Sequence, residues 1–219
     1  MLLDAPPPLT TAPAILKRAT PGWKRAVDLA GVAILMPLLM PLFAAVAVFI
    51  KVVSPGPVLF RQRRLGHGGE TFWIYKFRTM HVSPVSRDQG HRDYLNRQAG
   101  SDAPNRKPDY LADLIPGGQL LRKLSIDELP QLLNVARGEM SLVGPRPDLM
   151  QIADYQPVQL RRFEVLPGMT GLWQVSGKNR LTFEQMIELD IRYIENRSLH
   201  LDLQILLRTV RVLVQERNE

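Results

Sequence analysis

Between Leu121 and Pro147 the chain reads LRKLSIDELPQLLNVARGEMSLVGPRP, and this stretch sets an adjacent acidic pair, Asp127-Glu128, between Arg122-Lys123 and Arg146. Carboxylates held among cations suit chemistry on phosphate esters, with a divalent metal bridging the like charges. Gly144-Pro145-Arg146-Pro147 fixes φ on both sides of the arginine and disfavours helix there. A guanidinium on so stiff a corner suits bidentate phosphate recognition, although the same four residues also make ordinary surface turns.

The acidic pair has a structural competitor, because Ser125-Ile126-Asp127-Glu128 has the form of a helix capping box. With Ser125 as N-cap, Pro130 would fall inside the helix, where its missing N–H and its ring both cost stability. A helix that starts at Asp127 moves Pro130 into the first turn, where that N–H has no intrahelical partner anyway. Both carboxylates then sit at a helix N-terminus, whose partial positive charge favours their ionised forms and attracts phosphate.

An uncharged apolar run from Leu29 to Ile50 precedes all of this. Crossing a bilayer takes about 20 apolar residues, so the run is long enough. Pro37 and Pro41 interrupt it, and each removes a backbone donor and clashes with the preceding turn. The expectation is therefore a helix-break-helix over 23–51. Broken at Pro41, the halves are about 18 and 14 Å long, short of a hydrocarbon core of about 30 Å. Lys24 and Arg25 flank one side, and Lys51, Arg61, Arg63 and Arg64 the other, which places both ends on the cytoplasmic side. A cleaved signal peptide is opposed by the apolar continuation through Phe49-Ile50 and the basic stretch beyond. Asp28 should stay at the interface or pair with a nearby cation rather than enter lipid.

A chain of 219 residues accommodates one domain plus one membrane element. Its net charge of +7 implies an anionic partner: nucleic acid, an anionic membrane or phosphorylated substrates. No nucleic-acid module is evident. The absence of cysteine excludes disulfides and thiolate chemistry.

Residues 1–22, Pro-rich at their start, read as a disordered tail, and 52–219 as a cytosolic catalytic domain. Val58–Phe60 and Thr71–Phe77 read as strands around the Gly66-His67-Gly68-Gly69 turn, with Lys76 and Arg78 on one strand face. Residues 82–118 read as a mobile loop. Pro167-Gly168-Met169-Thr170-Gly171 reads as a turn cluster. Leu199, Leu203, Leu206, Val210 and Leu213 repeat at helical spacing opposite Gln204, Arg208, Arg211 and Gln215. The amphipathic helix over 199–215 can face the core or lie in the membrane plane. His67, His81, His91 and His200 show no metal spacing.

Several ordered motifs together resemble the bacterial sugar transferase family, the monotopic polyprenyl-phosphate phosphoglycosyltransferases. They are KRAVDLAG, VLFRQRRLG, FWIYKFRTM, LSIDELPQL, MSLVGPRP, PGMTGLWQVSGKNRLTF and LDIRYIENRSLHLDLQILLRT, and they cover all but residues 1–22 and roughly 82–118. Met40 stands where the family often has serine before the breaking proline, and Lys178 where it usually has arginine.

The resemblance implies a small mixed α/β catalytic domain with an N-terminal re-entrant helix on the cytoplasmic face of the bacterial inner membrane. It implies transfer of a sugar-1-phosphate from a UDP-sugar to polyprenyl (undecaprenyl) phosphate, releasing UMP and starting a lipid-linked glycan. Asp127 would form a phosphosugar-aspartyl intermediate, and Glu128 would bind Mg²⁺ or activate the lipid phosphate. Arg122, Arg146, Lys178, Arg180, Lys76, Arg78 and Gln174 would bind substrate phosphates. A nucleotide-sugar or lipid-diphosphate hydrolase, or a basic membrane adaptor without catalysis, are the alternatives. A homo-oligomer is compatible with the sequence.

Overall fold

The apolar run folds as one helix, α1 (Gly22–Val53), in a computed structural model that describes residues 15–81, 113–149, 151–177 and 180–215. Both prolines lie inside α1, so the expected break is not an interruption of helical backbone. Each proline nevertheless leaves the carbonyl four residues earlier, on Ala33 and Pro37, without its intrahelical donor. Those two gaps lie one turn apart on one face, a line of weakness along which a helix bends.

Both ends of α1 are embedded in the same body. Lys24 and Asp28 are buried near its start, and Val46 and Ile50 near its end. Leu29, Ile34, Leu35 and Leu38 between them are exposed. Asp28 lies within reach of the Lys24 charge and accepts from Ser141 Oγ at 2.9 Å and from the Leu142 N–H at 2.8 Å. Arg25 likewise serves the interior, donating to the Val135 and Ala136 carbonyls at 2.6 and 2.8 Å. Those carbonyls belong to the last turn of a short helix, where the Val135 carbonyl also takes the N–H of Gly138 at 3.0 Å.

Past α1 the chain forms an antiparallel hairpin, β1 (Leu59–Leu65) and β2 (Thr71–Phe77), longer in its first strand than expected. Next come α2 (Gly118–Lys123), a 3₁₀ turn over Ile126–Gln131 and α3 (Leu132–Arg137). Strands β3 (Ser141–Val143) and β4 (Gly168–Thr170) pair in parallel, so the expected turn cluster is a strand. Helices α4 (Phe183–Glu195) and α5 (Leu199–Gln215) complete the mixed α/β unit. A reciprocal capping box between Thr182 and Gln185 starts α4.

The main core joins Leu132, Val135, Met140, Val143, Tyr193 and Ile205 from α3, β3, α4 and α5. A second cluster ties Val46 and Ile50 to Phe77, Ile115 and Leu121, which roots the end of α1. Burying a residue such as Ile50 contributes about 1.5–3 kcal/mol.

Two segments expected to be mobile are docked at their described ends. Ile15 packs on the core, and Arg18 is fixed to Glu164 through its backbone N–H at 2.7 Å and its Nε at 2.7 Å. Ile115 donates to the Thr79 carbonyl at 3.1 Å, pinning the end of the 82–118 loop, whose residues 82–112 lie outside the described set. In α5 the buried face carries Asp202 and Ile205, while Leu199, Leu203, Leu207 and Val210 point to the exterior. The stripe thus faces away from the core, with Leu206 alone of its first four residues packed inward.

Candidate active site

The acidic pair enters on a strained residue. Ser125 has φ of 53°, the one positive value outside glycine among the described residues, and its side chain caps nothing. An L-residue held in the left-handed region costs about 1–3 kcal/mol. The capping-box reading therefore fails, and Asp127 and Glu128 occupy the first turn of the 3₁₀ segment instead of starting an α-helix. Pro130 is accommodated within that segment.

Glu128 is clamped by two cations from different elements. Lys76 on β2 approaches Oε1 with Nζ at 2.7 Å. Arg146 forks onto both oxygens, with Nη2 at 2.5 Å from Oε1 and Nη1 at 3.2 Å from Oε2. Burial alone would raise this carboxyl, but Arg146 and Lys76 outweigh it and hold it well below the usual range. Its neighbour behaves in the opposite sense. Burial raises the Asp127 carboxyl, the Glu128 charge adds to that, and Lys76, Arg122 and Arg146 only partly offset them. Adjacent acids pushed apart in this way take different chemical roles.

The Arg146 corner is held by backbone. Gly144 donates to the Thr170 carbonyl at 2.9 Å, and Gly168 to the Pro145 carbonyl at 2.8 Å. A Cβ on Gly168 would lie 2.1 Å from the Gly144 nitrogen, and one on Gly171 2.5 Å from the Gly144 carbonyl oxygen. Only glycine admits so close an approach, which explains the PGMTG sequence better than a turn does.

The remaining expected phosphate ligands separate into groups. Arg122 lies exposed in the last turn of α2, close enough to lower the Asp127 carboxyl. Arg78 does not share a face with Lys76. It is buried beyond the end of β2, bonding Ser54 Oγ, the Ser54 carbonyl and the Pro57 carbonyl at 2.8, 2.8 and 2.6 Å. It caps the end of α1, which is a structural task. Gln174 is half-buried, with its side-chain oxygen beside Gly171. Arg180 is exposed, its N–H bonded to the Gly177 carbonyl at 2.9 Å, and Lys178 lies outside the described residues.

One buried network was not legible in the sequence. Arg162 sits between Asp148, at 3.0 Å, and Asp190, at 2.9 Å, with the Tyr155 hydroxyl at 3.3 Å from Nη1. An acid directly after the GPRP corner and an arginine ahead of PGMTG were the available signals.

Among the described residues no group of three or more His, Cys, Asp or Glu side chains could enclose a metal. Glu128 already accepts three hydrogen bonds, of about four that a carboxylate can take. An all-protein cage is therefore absent there. Asp127 together with the remaining Glu128 lone pair fits Mg²⁺, which binds through one or two carboxylates and completes its shell with waters and substrate phosphates.

A family model described as "Bacterial sugar transferase" matches residues 19–216. Over 196 residues the chain is 45% identical to the UDP-glucose:undecaprenyl-phosphate glucose-1-phosphate transferase of Caulobacter vibrioides, covering 85% of this chain and 68% of that one. It is 38% identical over 193 residues to the exopolysaccharide production protein ExoY of Rhizobium meliloti, covering 85% and 83%. A UDP-N-acetylgalactosamine-undecaprenyl-phosphate N-acetylgalactosaminephosphotransferase of Aeromonas hydrophila is 38% identical over 198 residues, 87% of this chain and 43% of its own length.

Proposed function

The chain belongs to the bacterial sugar transferase family, and on that premise we propose that it moves a sugar-1-phosphate from a UDP-sugar to undecaprenyl phosphate. UMP leaves, and the lipid-linked diphosphosugar starts a surface glycan such as an exopolysaccharide. The observation that carries the site assignment is the divergence of the acidic pair. Glu128 is neutralised by Arg146 and Lys76, while buried Asp127 keeps a more basic carboxylate beside it.

In the first step an Asp127 carboxylate oxygen attacks the sugar-linked phosphorus of the donor. The bond from that phosphorus to the oxygen bridging it to UMP breaks, and UMP departs with the electron pair. In the second step an oxygen of undecaprenyl phosphate attacks the same phosphorus and releases the Asp127 carboxylate. Desolvation makes Asp127 the better nucleophile of the pair. Glu128, held ionised, is a poor proton acceptor near neutral pH and serves instead to fix Arg146 and Lys76 around the transferring phosphoryl group. Mg²⁺ held by Asp127 and Glu128 would supply charge neutralisation at the diphosphate. Arg122 adds positive charge at the rim.

The protein associates with the membrane through α1, whose middle is exposed and apolar, and through the outward apolar face of α5. Both ends of α1 root in one catalytic body, which supports a helix that dips into the cytoplasmic leaflet of the inner membrane without crossing it.

The test is UMP release by the purified protein against a panel of UDP-sugars, with and without undecaprenyl phosphate. Release that requires the lipid and matches formation of lipid-linked sugar supports the transferase. UMP release without lipid acceptor that continues well beyond one equivalent per enzyme identifies a hydrolase instead.

A further inference from the structure

The Gly144-Pro145-Arg146-Pro147 corner poses an anchoring problem. Two of its four residues are prolines and offer no N–H, so the corner must be held largely through its carbonyls. Gly168 takes the Pro145 carbonyl, but among the described residues no backbone N–H reaches the carbonyl of Arg146 itself. That oxygen instead accepts from Arg162 Nη2 at 3.0 Å. Arg162 Nη1 meanwhile donates to Asp148 Oδ2 at 3.0 Å. One planar guanidinium therefore grips both ends of Arg146-Pro147-Asp148.

Arg162 comes from the 3₁₀ segment Gln159–Glu164 and is not among the main charges that shift Asp127 or Glu128. It is 4% exposed, and a buried guanidinium needs anionic partners to remain there. Asp148 provides one, and the Asp190 carboxyl on α4 lies 2.9 Å from the same guanidinium. The Asp148 carbonyl is itself bound by the Leu65 N–H at 3.0 Å, which ties the grip to β1. This is more hardware than a surface turn requires.

We propose that Arg162 is a positioning residue for the transfer reaction: by holding the Arg146 carbonyl and the Asp148 carboxylate together, it aims the Arg146 fork at Glu128 and the donor phosphate. The inference rests on the function proposed above. Arg162 touches no reacting atom, so its effect must pass through Arg146. A fork misplaced by about 1 Å can lose up to about 100-fold in rate.

A double-mutant cycle tests this with Arg162→Lys and Arg146→Lys in the full-length, detergent-purified enzyme. Lysine at 162 keeps the charge but cannot bond the carbonyl and both acids at once. Arg162→Lys should lower kcat by about tenfold in the wild-type background, with little change in KM for the UDP-sugar. In the Arg146→Lys background, where no fork remains to aim, the same change should cost less than about twofold. Equal losses in both backgrounds would overturn the proposal, because a general loss of folded enzyme cannot distinguish them. Should Arg162→Lys not fold, Asp148→Asn replaces it in the cycle, with the same non-additivity expected and additivity again contradicting. If Arg146→Lys by itself leaves turnover unchanged, the assignment of the active site fails and the positioning role of Arg162 falls with it, whereas equal losses from Arg162→Lys with a damaging Arg146→Lys remove the positioning role alone.

Discussion

Lys24 Nζ lies 2.6 Å from Asp202 Oδ2, and both side chains are 2% exposed. The pair joins the first turn of α1 to α5, and its third member extends the link toward the chemistry. Tyr193 OH lies 2.8 Å from Asp202 Oδ1 and 3.1 Å from the carbonyl of Val143, the residue before the GPRP corner. A lysine read from the sequence as a basic flank of the apolar run is thus an interior strut between α1 and the strand that leads into the GPRP corner.

Removing one member of such a pair strands the other charge in the core. Lys24→Met should destabilise the protein by about 3–5 kcal/mol, and the double change Lys24→Met with Asp202→Leu by clearly less. Urea unfolding in detergent, followed by circular dichroism, measures both. A single variant within about 0.5 kcal/mol of wild type would mean that the two groups are not buried together in solution.

The same embedding sets the topology of α1. The chain has no cysteine, so single cysteines at exposed Leu16 and Arg61, one on each side of α1, report cleanly. Neither should react with a membrane-impermeant maleimide added outside spheroplasts, and both should react after lysis. Labelling of one site alone from outside would show that α1 crosses the bilayer.

Asp190 makes stability depend on pH. Burial outweighs its contact with Arg162 and pushes its carboxyl up to about 7, whereas an unfolded aspartate titrates at about 3.9. The folded state therefore binds a proton there that the unfolded state releases, and stability falls as pH rises from about 4 to about 7. Asp190→Asn has no proton to lose at this site, so its stability relative to wild type should improve between about pH 5 and about pH 8. A difference between the two proteins that stays constant over that interval would contradict the shift.

Much of the site was legible because its chemistry is local in sequence. Asp127, Glu128 and Arg146 fall within one segment, and Lys76 lies in a strand whose alternation is plain; the structure brings them together around Glu128. Arg78 departs from the strand face expected for it, because adjacency in a motif says nothing about where a strand ends. One residue past β2, its guanidinium turns to the end of α1. Lys24, Asp28, Asp190 and Asp202 were opaque for a related reason. Their partners lie far away in the chain, and a charge that pairs in the core has the same local sequence as one in solvent. The helical period of α5 correctly gave a helix, but a period cannot choose its apolar neighbour; the exposure of Leu203 and Leu207 shows that this stripe is not packed in the core.

Asp127, Glu128 and two donor phosphates together concentrate negative charge beyond what Lys76 and Arg146 offset. Turnover should therefore vanish in excess chelator and return with added Mg²⁺. Undiminished turnover with chelator present would remove the metal from the site and leave Lys76, Arg122 and Arg146 as the sole counter-charges.

The covalent role of Asp127 is tested most directly by intact and peptide mass spectrometry. Enzyme is mixed with UDP-sugar in the absence of undecaprenyl phosphate, so that the first step can occur and the second cannot. A mass increase equal to one phosphosugar on the peptide containing Asp127, lost on adding the lipid acceptor and absent from Asp127→Asn, is the predicted result. The asparagine variant is checked in the same spectra for deamidation, which would restore the acid. An unmodified Asp127 peptide, together with intersecting-line kinetics in which both substrates must bind before UMP leaves, would contradict a covalent route and reduce Asp127 to a metal ligand in direct transfer.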